Sequence, residues 1–240
     1  YCTLCGSMII YKSRTADGTE HQLGTSGFLY RSNKLMYDKA TQSLWNTLWG
    51  KPVSGPLVGK GIELEALSVV TTTWGAWKKR HPKTTVLSLS TGYRRDYSEG
   101  EAYRDYFATD ALMFTTPAQD QRLLNKQEVL SLILPDHPDQ PLAISTDYLK
   151  RRKLHRDKIG ETEFIVLTDR SGASRVYATE GVAFEKWDKS RKLTDESGEQ
   201  WTLEEPHLRS ASGRTLARLP AHRSFWFGWY AAYPQTRLVK

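Results

Sequence analysis

The chain has 240 residues, 39% hydrophobic and 25% charged, with 8 Trp, 12 Tyr and 7 Phe and a net charge of +7. This composition excludes a disordered chain, and the length suits one large domain or two of about 100–150 residues. It contains no run of about 18 consecutive apolar residues, the length a membrane helix needs, so no transmembrane segment is expected in this chain. An anchor upstream of Tyr1 stays open.

The chain opens on "YCTLCGS", where Cys2 and Cys5 are the only cysteines. A Cys-x-x-Cys pair can close a small disulfide, cycle as a dithiol, or supply two soft ligands to copper or zinc; it can also stay reduced and buried. A thioredoxin-like pair should open a helix, whose backbone N–H groups stabilise a thiolate. Here Gly6-Ser7 and a strand pattern follow instead. A zinc site wants four ligands, and only scattered histidines are on offer: His21, His81, His137, His155, His207 and His222. Cys2, Cys5 and His81 could together form a three-coordinate soft site.

Alternation in "GSMIIYKSR" and "GIELEAL", with a turn at Asp17-Gly18, predicts strands and hairpins. Between them lies "GTSGFLYRSNKLMYD", a polar stretch between apolar anchors. Its Ser26, Tyr30, Arg31, Ser32 and Asn33 suit a binding loop or an ordinary turn. "TTTWGAWKKRHP" predicts a short helix with an upstream Thr cap, Trp at i and i+3, and a Pro stop.

The segment after it, "STGYRRDYSEGEAYRDYF", sets tyrosines among Arg94, Arg95, Asp96 and Tyr97. Arginines beside tyrosines can build an anion or carbohydrate pocket through bidentate hydrogen bonds and stacking, or ordinary surface ion pairs. The basic run from Lys150 to Lys158 reads as the solvated face of a short helix. With acids interleaved elsewhere and no nucleic-acid module in view, nucleic acid is not expected as a partner.

"TEFIVL" and "SRVYATEG", parted by Ser171-Gly172, predict two more strands, and "RSFWFGWYAAYP" a second short helix with a Ser upstream for capping. This helix exposes an internal repeat. A shift of 152 residues places 61–87 on 213–239 and pairs Trp74 with Trp226, Trp77 with Trp229, Pro82 with Pro234, and Thr84 with Thr236. Upstream, Asp38 and Trp45 meet Asp195 and Trp201, and "YCTLCGSMIIY" meets "FIVLTDRSGASRVY".

The expected organisation is a first repeat at 1–87, a connecting insertion at 88–127 and a second repeat at 128–240, forming one compact, strand-rich α+β unit. Residues 128–163 have no counterpart in the first repeat, so that copy is expected to be N-terminally truncated. Features kept by both copies, such as the tryptophans, read as scaffold. Those in one copy only are candidates for function: Cys2 faces Ile165, Cys5 faces Thr168, and His81 faces Tyr233.

These segments, from "YCTLCGS" and "SGFLYRSNKLMYD" to "FWFGWYAAYPQTRLV", resemble a bacterial and archaeal family classed only as a domain of unknown function. Its motifs are of the YCPLCGS and SGLLYxSNxxMYD type. Thr3 departs from the usual Pro. In that family the motif follows an upstream strand region, in line with the truncation. Its members resemble exported or lipoprotein-type proteins, which implies an extracytoplasmic setting where disulfides persist.

The resulting expectation is an extracytoplasmic module binding an unknown small ligand, protein or metal, copper or zinc, at the Cys-x-x-Cys site. The alternative is a thiol- or copper-dependent oxidoreductase using the same cysteines. Hydrolase and nucleotide-binding motifs are missing.

Overall fold

The computed structural model describes residues 1–240. The first part of the chain forms β1 (Ile10–Tyr11), β2 (Leu23–Tyr30), β3 (Asn33–Asp38), β4 (Leu44–Asn46), β5 (Lys51–Ser54), β6 (Ala66–Leu67) and α1 (Trp74–Arg80). Strands β2-β3-β4-β5 make an antiparallel meander, and β1 pairs with β6. Arg31 and Ser32 link β2 to β3 with φ of 47° and 71°. A two-residue hairpin loop needs this left-handed backbone to match strand twist, at a cost of roughly 1 kcal/mol for a residue with a Cβ.

A largely irregular segment with only α2 (Arg104–Ala108) leads to β7 (Glu128–Leu134) and β8 (His137–Ser145), a hairpin. Next comes α3 (Thr146–Arg151), whose N-cap Ser145 hydroxyl accepts from the Tyr148 N–H. Strands β9 (Leu154–Ile159), β10 (Thr162–Thr168) and β11 (Ser174–Ala178) form one sheet. A five-stranded meander follows: β12 (Phe184–Trp187), β13 (Lys192–Asp195), β14 (Gln200–Leu203), β15 (His207–Ser210) and β16 (Thr215–Ala217). Strand β17 (His222–Phe225), α4 (Trp226–Ala232) and β18 (Arg237–Val239) close the chain, giving the sheet β17-β7-β8-β18.

Strand β10 explains how these layers stack. Phe164 and Val166 point into a core shared with Leu132, Leu142 and Ile144 of the hairpin, while Ile165 and Leu167 enter the core of the five-stranded sheet. A strand covered on both faces needs an unbroken apolar run, and "FIVL" supplies it. The protein is thus strand-rich with few helices, as the alternation predicted.

Several local expectations need correction. Strands in "GSMIIYKSR" and "GIELEAL" shrink to Ile10–Tyr11 and Ala66–Leu67. The basic run is not one helix face: it spans the end of α3 and strand β9, because alternating burial at Leu154–Ile159 lets that stretch pair with β10. α1 is capped by Thr73 as expected, but Phe225 caps α4 without a side-chain bond, because Ser224 lies in β17 and its hydroxyl meets Ser131. Cys2–Ser7 is a turn, whereas Ile165–Thr168 lies in a strand, so these aligned residues differ in local structure.

Other aligned residues have matching geometry. Trp77 Nε1 donates to Thr84 Oγ1 at 3.0 Å and Trp229 Nε1 to Thr236 Oγ1 at 2.9 Å. Tyr11 faces Ala66 as Tyr177 faces Arg218, and each tyrosine donates 2.8 Å to a backbone carbonyl, of Thr47 and Glu204 respectively.

Candidate functional site

The cysteine turn is held by both halves of the chain. Cys2 and Ser7 form a β-bridge, Phe225 N–H donates to Cys5 O at 2.8 Å, and both sulfurs pack with Phe227 under Leu112 and Phe114. Gly6 sits at φ 58°, and a Cβ there would fall 2.9 Å from the Phe225 ring, so the turn needs glycine for conformation and space. Tyr106 of α2 donates its hydroxyl to Leu4 O at 2.8 Å, so the connecting segment helps to cover the turn.

Both cysteines are free thiols and buried. The Cys5 proton has two acceptors within reach, the Ser32 carbonyl oxygen and the Cys2 sulfur. Hydrogen bonding from Cys5 outweighs burial and, with the Lys34 backbone N–H and charge, brings the Cys2 thiol down to about 6. The same bond, followed by burial and the neighbouring Cys2 charge, pushes Cys5 up. The two shifts run in opposite directions, so the pair is biased toward losing its first proton at Cys2.

Cys2 also lines a cavity of about 290 Å³ with His21, Met36, Trp45, Tyr11 and Lys12. His21 is buried, and its Nδ1 lies 2.6 Å from Asp38 Oδ2. Burial raises the Asp38 pKa, but hydrogen bonds from His21 and the Ala40 and Thr41 N–H groups win and lower it overall. Asp38 is therefore a carboxylate, which accepts from His21 Nδ1–H and fixes the orientation of the ring. His21 Nε2 and Trp45 Nε1 are both buried without a protein partner, and the two rings lie 4.9 Å apart.

The second meander offers a comparison for Asp38. Asp195 and Trp201 occupy the register of Asp38 and Trp45, with Leu193 opposite Trp201 as Met36 is opposite Trp45. There Asp195 Oδ2 accepts Trp201 Nε1–H at 2.8 Å. Leu23 faces Asp38 as Phe184 faces Asp195. Counting two residues back puts His21 at the place of Val182. In the first meander the carboxylate meets an imidazole, in the second an indole.

The polar loop divides. Asn33 is buried, donating to Ser7 Oγ at 2.9 Å and accepting from Thr47 Oγ1 at 2.7 Å, and the Ser32 carbonyl meets Cys5. These two residues join the cysteine turn. Ser26 donates to Leu35 O within its own hairpin, while Arg31 lies over the Tyr30 and Trp49 rings. Arg94, Arg95, Asp96 and Tyr97 are exposed; Asp96 caps Ser98 N–H and Tyr97 meets Thr91, so their polar contacts stay within their own loop.

His81 ends α1 with its ring 4.1 Å from Trp77, the place Tyr233 takes 4.5 Å from Trp229. It lines a different cavity from Cys2, and no three His, Cys, Asp or Glu side chains gather at metal-binding spacing. Sequence reasoning counted His21 only among the scattered histidines. Its signal was the contrast with Val182, hidden by the gaps needed to align the meanders.

Fold and site together define a strand-rich protein with a buried dithiol turn and a histidine–carboxylate pair at one cavity. No helix is long and apolar enough to cross a membrane. The chain belongs to the family described as protein of unknown function (DUF3179), which matches residues 1–236. No curated protein and no solved structure matches it.

Proposed function

We propose that this protein is an extracytoplasmic binding module on a duplicated scaffold, and that the cavity beside Cys2 and His21 takes its small ligand. One observation carries the reading: His21, held by Asp38, lines the cavity and has an unpartnered buried Nε2, where the second meander instead has a closed Asp195–Trp201 bond. Buried polar atoms are ordinarily satisfied. An apolar-walled cavity with an unpaired imidazole nitrogen and an unpaired indole N–H suits a small molecule carrying a hydroxyl or similar group. The matched Trp–Thr and Tyr–carbonyl bonds support duplication. The export setting rests on the resemblance of the motifs; there the adjacent cysteines would close a bridge.

The test is nuclear magnetic resonance of the His21 and Trp45 ring signals during titration with phenol, zinc(II) and copper(I) in turn. Saturable shifts confined to these rings and the cysteine turn, lost in His21→Phe, are expected with phenol. A metal response that needs Cys2 and His21, with none to phenol, would replace the small-molecule ligand by a soft ion. Silence with all three removes the binding reading.

The lowered Cys2 pKa favours thiol oxidoreduction as a second reading. Cys2 thiolate would attack one sulfur of a substrate disulfide and expel the other as thiolate. Cys5 would then lose its proton and attack Cys2 in the mixed disulfide, releasing the second thiol. The protein gives up two electrons and the substrate gains them. Stoichiometric reduction of a model disulfide by the dithiol protein, abolished in Cys2→Ser, would support it; two unreacted thiols would not.

A further inference from the structure

Helices α1 and α4 share one geometry in opposite surroundings. Their N-caps have φ/ψ of −77°/151° and −75°/148°, and each C-cap N–H returns to the carbonyl of the second Trp, Trp77 or Trp229. Yet six of seven α4 residues are buried, and none of α1.

The β7–β8 hairpin accounts for the difference. Trp226, Trp229 and Ala232 pack with Val129 and Ala143, while β17, before α4, pairs antiparallel with β7 and β18, after α4, pairs parallel with β8. Around α1 the same places are taken by residues 70–73 and 85–87, which belong to no sheet. Beside them Trp74, Trp77, Val86, Leu87 and Leu89 are 49%, 41%, 66%, 96% and 71% exposed. Such a cluster of large apolar groups marks a docking surface, and the flanking segments, outside any sheet, offer backbone groups for strand addition.

From this contrast, and resting on the duplicated-scaffold reading, we infer that the α1 face receives a β-hairpin like β7–β8. Its first strand runs antiparallel to 70–73 and its second parallel to 85–87. The occupant is polypeptide N-terminal to Tyr1, because in the second repeat the hairpin precedes β10, the segment aligned with the cysteine motif. Docking completes a four-stranded sheet and buries both tryptophans.

The probe is a synthetic peptide of residues 127–152, nitroxide-labelled on its first strand and titrated into the 240-residue chain. Expected are saturable binding, hydrogen exchange slowed about tenfold or more at 70–73 and 85–87, and paramagnetic broadening centred on 70–73. Trp77→Glu should abolish all three and Trp77→Phe retain them. No protection at saturating peptide overturns the inference, as does a dimer of the chain that already protects these amides, since the occupant is then a second copy. Broadening at 85–87 instead overturns the strand assignment and the duplicated scaffold, while docking stands. A chimaera with residues 128–163 repeated ahead of Tyr1 tests the source: a monomer with blue-shifted fluorescence lost on Trp74→Phe and Trp77→Phe is expected, and a strand-swapped dimer overturns supply in cis.

Discussion

His21 Nδ1 lies 2.6 Å from Asp38 Oδ2, and both side chains are almost wholly removed from solvent. Asp195, at the matching register, bonds Trp201 instead. The carboxylate of one meander thus meets an imidazole and that of the other an indole, and Trp45 Nε1 has no partner beside the cavity.

Asp38→Asn should therefore cost stability and loosen the imidazole. Losing one buried charge-assisted bond, with two backbone N–H groups still seeking an acceptor, costs about 2 kcal/mol. Denaturant unfolding gives the stability change. The His21 ring signals should broaden or shift in the same variant, whereas Asp195→Asn should leave them in place.

Cys5→Ala should raise the Cys2 pKa from about 6 toward its ordinary value, since the Cys5 hydrogen bond is the largest influence lowering it. Thiolate ultraviolet absorbance followed against pH measures this. An unchanged midpoint would mean that Lys34 and the surrounding N–H groups suffice alone.

His222 is held neutral by burial, its pKa lowered from 6.5 to about 4. The unfolded chain binds this proton first as pH falls, so the stability tied to neutral His222 is full above pH 6.5. It is lost progressively as pH falls to about 4, by roughly 3 kcal/mol at most. Unfolding curves of the protein and of His222→Gln should diverge in slope across this window and run parallel above it.

Glu205 accepts from Arg175, Arg218 and Arg80, with Arg175 itself almost fully buried. Glu205→Ala leaves Arg175 with Asp169 alone and should cost about 2–3 kcal/mol. It also removes an anchor of α1 on the second meander, so exchange within α1 should quicken more than within α4.

Much of the scaffold was legible locally. The apolar run of β10, the turn at Ser171-Gly172, the Thr73 cap and the Trp spacing of α1 and α4 each state a backbone preference within a few residues. Asn33 and Ser32 were flagged from the polar loop, and the structure joins them to the cysteine turn. Arg94 to Tyr97 looked equally polar but lie elsewhere, because composition says nothing of where a loop folds.

The sequence by itself determined strand-rich secondary structure, the two helices and the singular position of Cys2 and Cys5, because periodicity and residue type act over short range. Tertiary structure alone decided that Asp38 bonds His21 and leaves Trp45 Nε1 unpaired, that His81 packs as Tyr233 does, and that α1 is exposed where α4 is buried. Those outcomes depend on which distant segments share a cavity or a sheet edge, and burial by a distant partner leaves no mark on the residues nearby.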